Sequence, residues 1–275
     1  MPQPPADWLE LNRAYWNERV PMHADSRLYD VTGFVAGQDT LRVFEPDEVG
    51  DVQGKTLLHL MCHIGLDTLS WARRGATVTG LDFSQPALDV ATALAAQIGV
   101  KSAQFVAADI NDAATALASQ TFDIVYTGIG VTQWIQDIDR WARTVASLVA
   151  PGGFFYIADY HPIIDIVDDD VLGMRRSYLD RGPFVEEERG SYTGPGDTEA
   201  NTFVKWTHHI GSLVNALATA GLRLEFLHEY DFTDFPMFLG LERQDDGLWR
   251  FPEGRLHIPL MFSLRASKDA HTQQP

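Results

Sequence analysis

The chain predicts an α/β fold built on a doubly wound, mostly parallel sheet, and two stretches carry that expectation. Residues Leu57–Ser84, reading LLHLMCHIGLDTLSWARRGATVTGLDFS, give an apolar strand, a turn closing on Gly65, a helix ending near Gly75 and a second apolar strand ending in Asp82. From Gly54 to Asp159 strands and helices alternate, which implies crossover connections and helices on both faces of the sheet. A third observation concerns the ligand. A carboxylate at the tip of the second strand, beside a helix N-terminus, can accept hydrogen bonds from both ribose hydroxyls of a nucleoside. A dinucleotide fold uses three glycines, GxGxxG, so that backbone can approach a pyrophosphate. Here only Gly65 is present, with Met61 and His63 where glycine is needed, so a nucleoside without phosphates is expected.

Taken in order, residues 1–45 read as a helical lid rather than core. Asp7 and Glu10 form a candidate capping box, and Trp8, Leu11, Tyr15 and Arg19 recur at helical spacing. That face is aromatic and polar together, where a purely structural helix prefers Leu and Ile. The alternative is plain packing. Sheet strands are expected near Leu57–Met61, Thr77–Leu81, Ala103–Ala107, Phe122–Tyr126 and Phe154–Ala158. One crossover helix starts at Ser84 as N-cap with Pro86 in its first turn, buries Leu88, Ala91, Leu94 and Ile98, and stops at Gly99. Another, about Asp137–Val149, turns Trp141, Val145 and Leu148 inward before Pro151-Gly152-Gly153. Residues 160–206, with Asp168-Asp169-Asp170 and Glu186-Glu187-Glu188, hold too few periodic apolar positions for a core element; they read as a lid or binding loop, or else as an exposed loop. A helix from Trp206 to Gly221 then has Thr207 as N-cap and Leu213, Ala216, Leu217 and Ala220 inside. Strands at Leu222–Tyr230 and His257–Leu264 follow. The whole is one domain, 1–275: lid 1–45, cofactor half 54–159, insertion 160–206, C-terminal helix and strand pair 207–266, and tail 267–275.

Composition bounds the function. A 45% hydrophobic chain of 275 residues supports a full core, and a net charge of −17 repels polyphosphate. No nucleic-acid or membrane partner is expected, and the oligomeric state is left open. The single cysteine, Cys62, excludes an internal disulfide and fits a reducing compartment. The start MPQPPADW lacks a basic, apolar leader, and no 18-residue apolar stretch occurs, so the protein is read as soluble and cytoplasmic.

With these elements placed, the chain resembles the class I methyltransferases that use S-adenosylmethionine. Their first motif is an acidic strand end followed by GxGxG. LLHLMCHIG follows it in register, with His59 for the acid, Met61 and His63 for the first two glycines, and Gly65 as the third. Asp82 matches the ribose-binding acid, with Phe83 beside it. Asp109, in FVAADIND, matches the adenine-contacting acid, with Ile110 offering a backbone amide to the ring. FDIVYTGIG matches strand four, ending where Gly128 and Gly130 admit the methionine end of the cofactor. LVAPGGFFYIAD matches the helix, turn and fifth strand. A subset of bacterial small-molecule methyltransferases is similar even in its HLxCHxGxDTLSWAR form and its N-terminal YWNERV. The resemblance spans nearly the whole chain. It implies a seven-stranded Rossmann-like sheet with an antiparallel last strand, S-adenosylmethionine as cofactor, a small-molecule acceptor, and a lid whose Tyr15 and Arg19 reach the cofactor.

Two departures matter. Neutral imidazole at His59 accepts one hydrogen bond but supplies no negative charge, so affinity leans on Asp67, the lid or carbonyls near Gly128. His63 either narrows the pocket or points at the cofactor; both histidines also suit a structural role. For catalysis the candidates are Tyr160 and His161 at the sheet edge and Tyr192 on the insertion. Pro162 biases His161 toward extended backbone, and its ordinary pKa near 6.5 suits a base at neutral pH; the alternative is a loop histidine that shapes the pocket. Cys62 reads as a small apolar plug rather than a nucleophile, because no base adjoins it. Adjacent His208 and His209 cannot face one ion together, so no metal is expected. The rivals are a nicotinamide dehydrogenase and a catalytically silent nucleoside-binding regulator. Missing glycines and the late strand pair count against the first, whereas the altered motif suggests the second.

Overall fold

The computed structural model describes residues 3–168, 173–255 and 257–270; of the sequence expectations, the Asp169-Asp170 part of the triple aspartate and the last residues of the tail lie outside them. Three helices precede the sheet: α1 (Trp8–Ala24), α2 (Val31–Val35) and α3 (Glu45–Val49). Strands and helices then alternate through β1 (Thr56–Leu60), α4 (Leu66–Arg73), β2 (Thr77–Asp82), α5 (Gln85–Gln97), β3 (Gln104–Ala107), α6 (Ala113–Ala116), β4 (Phe122–Thr127), α7 (Ile138–Leu148) and β5 (Val149–Tyr160). The hairpin β6 (Phe184–Glu187) and β7 (Thr202–Lys205), then α8 (Ile210–Thr219) and β8 (Arg223–Tyr230), come next. Three short strands, β9 (Phe232–Thr233), β10 (Glu242–Arg243) and β11 (Trp249–Arg250), precede β12 (Met261–Ser267).

The main sheet has seven strands, as expected, and their order is β3-β2-β1-β4-β5-β12-β8. β1 to β5 run parallel, and β12 is antiparallel to both β5 and β8, with Leu264 between Ile157 and Leu227. The order reverses between β1 and β4, which opens a crevice at the C-terminal strand ends, where open α/β sheets bind ligands. Trp141, Val145, Leu213 and Leu217 pack on one face. Val49, Trp71, Ala87 and Leu94 lie in the clusters on the other. Ser84 caps α5 by accepting the Ala87 N–H at 3.3 Å, and Asp137 caps α7 through the Asp139 and Arg140 amides.

Four local expectations are corrected. Asp7 makes no side-chain cap, because its backbone (φ −99°, ψ 18°) is not in the extended conformation that a capping residue needs. The helix after the insertion is capped at His209 rather than Thr207. The Thr207 N–H donates to Arg181 O and His208 Nε2 lies 2.6 Å from Ile135 O, which hold these residues out of the helix. The last strand starts at Met261 rather than His257, since Pro259 has no N–H for a central ladder. The insertion is not structureless: β6 and β7 pair antiparallel with Val185 opposite Val204.

That hairpin escaped sequence reading because its buried side is covered by α1 rather than by the sheet. Asn12 Nδ2 donates to Val204 O at 2.8 Å and Asn12 Oδ1 accepts the Val204 N–H at 2.7 Å, so one amide side chain acts as a strand partner. Arg19 donates to the carbonyls of Tyr15, Ala200 and Glu188, and Glu18 accepts the amides of Glu199 and Ala200. Helix α1 and the hairpin therefore form one cover over the crevice.

Candidate active site

A cavity of about 850 Å³ opens at the C-terminal ends of β1, β2, β4 and β5, beneath that cover. It is large enough for a nucleoside-sized ligand together with a second small molecule. Eleven of the residues expected at the site line it: Tyr15, His59, Met61, His63, Gly65, Asp67, Asp82, Phe83, Gly128, Tyr160 and Tyr192. Asp109 and Ile110 line an adjoining cleft of only about 10 Å³, bordered by Met61, Phe83 and the α1 residues Trp8 and Leu9. That cleft has room for about one water. Arg19 and His161 line neither space.

The turn after β1 keeps the glycine motif's backbone without its glycines. Met61 (φ 58°) and His63 (φ 50°) both adopt the left-handed conformation, as does Gly65 (φ 76°). Each non-glycine residue held so costs on the order of 1–3 kcal/mol. Gly65 admits no side chain, because a Cβ there would lie 2.8 Å from Ala91 Cβ on α5. Cys62, between them, is buried and burial pushes its thiol up, which suits a plug and not a nucleophile.

Asp82 ends β2 with its carboxylate turned back on this turn. Oδ2 accepts the His63 N–H and Oδ1 the Ser84 N–H, both at 2.9 Å. Burial raises its pKa, and these two amides oppose the rise. His59, on β1, places Nδ1 2.8 Å from Thr68 Oγ1, and burial lowers its pKa to about 4, so the ring is neutral at pH 7. A Cβ on Gly128 would lie 3.4 Å from both His59 Nε2 and Asp67 Oδ2, so these groups converge where β4 ends. Asp67 accepts from Thr40 Oγ1 and Arg42 Nη1 at 2.6 Å each. Arg42 also faces Asp234 at 3.3 Å and Glu45 at 3.8 Å. Three carboxylates thus share one guanidinium. Glu45, fully buried and hydrogen-bonded by the Tyr126 hydroxyl at 2.7 Å, is raised by burial to about 7.

Asp159, at the end of β5, orders the loop after β4. Its carboxylate accepts the amides of Gly130, Val131 and Thr132 and the Thr132 hydroxyl. Tyr160 donates to Asp234 at 3.2 Å. Tyr192 pairs with Tyr29 hydroxyl to hydroxyl at 2.5 Å, and burial raises the Tyr29 phenol to about 12. Tyr15 donates to Glu188, and its ring lies under the Arg19 guanidinium at 3.4 Å. With both terminal nitrogens on carbonyls, Arg19 serves as a buried clamp between α1 and the insertion. His161 Nδ1 accepts the Ile163 N–H at 3.2 Å, capping a short turn, and Nε2 meets Glu229 at 2.9 Å. Burial lowers its pKa while Glu229 opposes.

Sequence reasoning missed Arg42, Asp234, His23, Ser191 and Asp159. Only His23 carried a signal: it continues the Tyr15–Arg19 spacing by four. Among the described residues no group of three metal-ligating side chains converges. No helix among them is long and apolar enough to cross a membrane.

Residues 57–153 match a family described as a methyltransferase domain. A ubiquinone biosynthesis O-methyltransferase of Brucella anthropi is 33% identical over 187 residues, 66% of this chain and 64% of that protein. Another, from Rhizobium leguminosarum, is 33% identical over 114 residues, and the matched part spans only 44% of that protein's length. Among solved structures, an S-adenosylmethionine dependent methyltransferase from Mesorhizobium loti superposes with TM-score 0.54 at 20% identity, covering 84% of this chain and 99% of that one. A TehB-like methyltransferase from Corynebacterium glutamicum gives 0.53 at 13% identity, covering 91% and 98%. At such identities the structural likeness speaks for the fold.

Proposed function

We propose that this chain, which belongs to the class I S-adenosylmethionine-dependent methyltransferases, moves the cofactor's methyl group to a small-molecule acceptor. The observation that carries the reading is Asp82, a buried carboxylate facing an 850 Å³ cavity at the reversal of strand order. Two of its roughly four lone-pair directions are used by the His63 and Ser84 amides, which leaves acceptors for a ribose diol. Asp67, converging with neutral His59 on Gly128, supplies the negative charge that the altered motif lacks, and suits a cofactor ammonium. Asp109 contributes to adenine only once Trp8 and Leu9 of α1 move off its cleft.

When bound, S-adenosylmethionine supplies an electrophilic sulfonium methyl, so the first task of the side chains is to align the acceptor and keep water out. Alignment can contribute up to roughly 7–11 kcal/mol to lowering the barrier. Tyr160, Tyr192 and Asp234 line the part of the cavity facing the insertion and the late loop, and suit an acceptor's polar groups. His161 is placed to brace that edge rather than to take a proton, because both ring nitrogens are engaged away from the cavity. The curated relatives' names favour an oxygen acceptor as the first class to try.

The test is thermal shift followed by transfer. S-adenosylhomocysteine is expected to raise the melting temperature, since a hundredfold excess over Kd stabilises by about 2.7 kcal/mol, whereas NAD and ATP leave it unchanged. A panel of small phenols, alcohols and amines with methyl-deuterated cofactor should then yield a labelled product. No shift and no calorimetric heat at millimolar cofactor would remove the reading.

A further inference from the structure

The cavity wall holds a hydrogen-bonded chain that cofactor binding does not require. His63 Nε2 lies 2.8 Å from His23 Nδ1, and His23 Nε2 lies 2.7 Å from Ser191 Oγ. The three residues come from the turn after β1, from α1 and from the segment between β6 and β7. Ser191 Oγ also accepts the Thr193 N–H at 3.3 Å, so its own hydrogen is available for onward donation. His63 lines the cavity, and its Nδ1 has no hydrogen-bond partner among the described residues and is not sealed from solvent. One end of the chain is therefore an unpartnered ring nitrogen on the cavity.

The backbone adds an independent argument. His63 is held at φ 50°, where glycine would sit without strain, and its N–H is fixed by Asp82. Its ring is packed edge-on between Trp16 at 5.4 Å, Tyr29 at 5.5 Å and His23 at 5.0 Å. A strained residue whose side chain is locked by three neighbours, with one polar atom left toward a cavity, is positioned for use rather than for packing.

We propose that His63 Nδ1 takes the proton of the methyl acceptor, with His23 and Ser191 as the relay that carries it out; this rests on the methyl-transfer reading above. The acceptor's oxygen attacks the methyl carbon, a C–O bond forms, and the C–S bond breaks with its electron pair remaining on sulfur. The acceptor's proton goes to His63 Nδ1 while the Nε2 proton passes to His23 Nδ1. The His23 Nε2 proton passes to Ser191 Oγ, whose own proton leaves to solvent. Each ring ends neutral in its other tautomer. Burial lowers His63 to about 3 and His23 to about 4, with the Arg19 cation adding to the effect at His23. Neither ring stores a charge at neutral pH, so the proton must cross by tautomer exchange, which the two short contacts permit.

Nitrogen-15 spectra of the histidine-labelled full chain, saturated with S-adenosylhomocysteine, read both tautomers. At pH 7 both rings are expected neutral, each protonated on Nε2 and bare on Nδ1. Millimolar 4-nitrophenol, as probe acceptor, is expected to move the His63 Nδ1 resonance. His23→Phe keeps the ring packing on Tyr29 but removes both nitrogens, and should leave His63 without tautomer preference. His63 protonated on Nδ1, a charged ring at pH 7, a resonance unmoved by 4-nitrophenol, or a tautomer unchanged by His23→Phe would each overturn the relay. Calorimetry beforehand separates the two readings: no S-adenosylhomocysteine binding removes methyl transfer and the relay together, whereas binding with the wrong tautomer removes the relay alone.

Discussion

Replacing Asp82 separates what that carboxylate does for the fold from what it does for the ligand. In Asp82→Ala the amides of His63 and Ser84 lose their acceptors, both at 2.9 Å and both behind a side chain that is only 9% exposed. An orphaned buried donor costs about 1–3 kcal/mol. Relief of the carboxylate's own desolvation, visible in its raised pKa, offsets part of this. The net loss is about 2–4 kcal/mol, or roughly 5–15 °C in Tm for a chain of this size. Cofactor binding should fall further, by about 1.5–3 kcal/mol or roughly 10- to 150-fold, the range for bonds to a charged group. Asp82→Asn retains one acceptor and should recover about half of the stability but little of the affinity. Differential scanning fluorimetry and calorimetry with S-adenosylhomocysteine on both variants decide the matter. An alanine variant that melts like the wild type and binds as tightly would show that Asp82 neither holds the turn nor meets the cofactor.

Three further outcomes follow from particular contacts. His161→Asn keeps an acceptor near the Ile163 amide and loses only the contact to half-exposed Glu229, so stability should drop by about 1 kcal/mol and turnover stay within about threefold; a tenfold loss with a shifted pH profile would restore His161 as a base. Asn12→Ala removes both bonds to Val204, so the Val204 amide should exchange faster and protease should cut within 160–206, while α5 and β1 keep their protection; unchanged exchange at Val204 would mean that α1 does not hold the hairpin. His23, His59 and His63 have folded pKa values of about 4, 4 and 3, below the unfolded 6.5. The unfolded chain therefore binds more protons between these limits, and stability is lost as pH falls from about 6.5 toward 4. Glu45, raised to about 7, acts with the opposite sign and shallows the slope. His59→Gln should flatten the acid limb further, as followed by urea titration at each pH, and an unaltered limb would mean that His59 is not held neutral.

The doubly wound half was legible because its signals are local. The Ser84 cap, the apolar runs of β1 and β2 and the carboxylate ending β2 are properties of short segments, which the sheet only assembles. The hairpin and the helix start at His209 were not legible, since their partners lie far along the chain: Asn12 pairs with Val204, and His208 with Ile135. The same division runs through the site. Asp82, Gly65 and Gly128 sit at strand ends and turns, where topology alone brings them to the cavity. Arg42 with Asp67 and Asp234, or His63 with His23 and Ser191, are joined by contacts that no spacing encodes.

Sequence by itself therefore determined the layer architecture, the carboxylate at the tip of the second strand and the expectation of a nucleoside-type ligand, because hydrophobic period and turn chemistry act within a few residues. Tertiary structure alone decided that Met61 and His63 keep a glycine-like backbone, that α1 and the insertion form one cover, and that Arg19 and His161 face away from the cavity. Those outcomes depend on which distant groups satisfy each buried donor and acceptor, and that is settled only when the chain closes on itself.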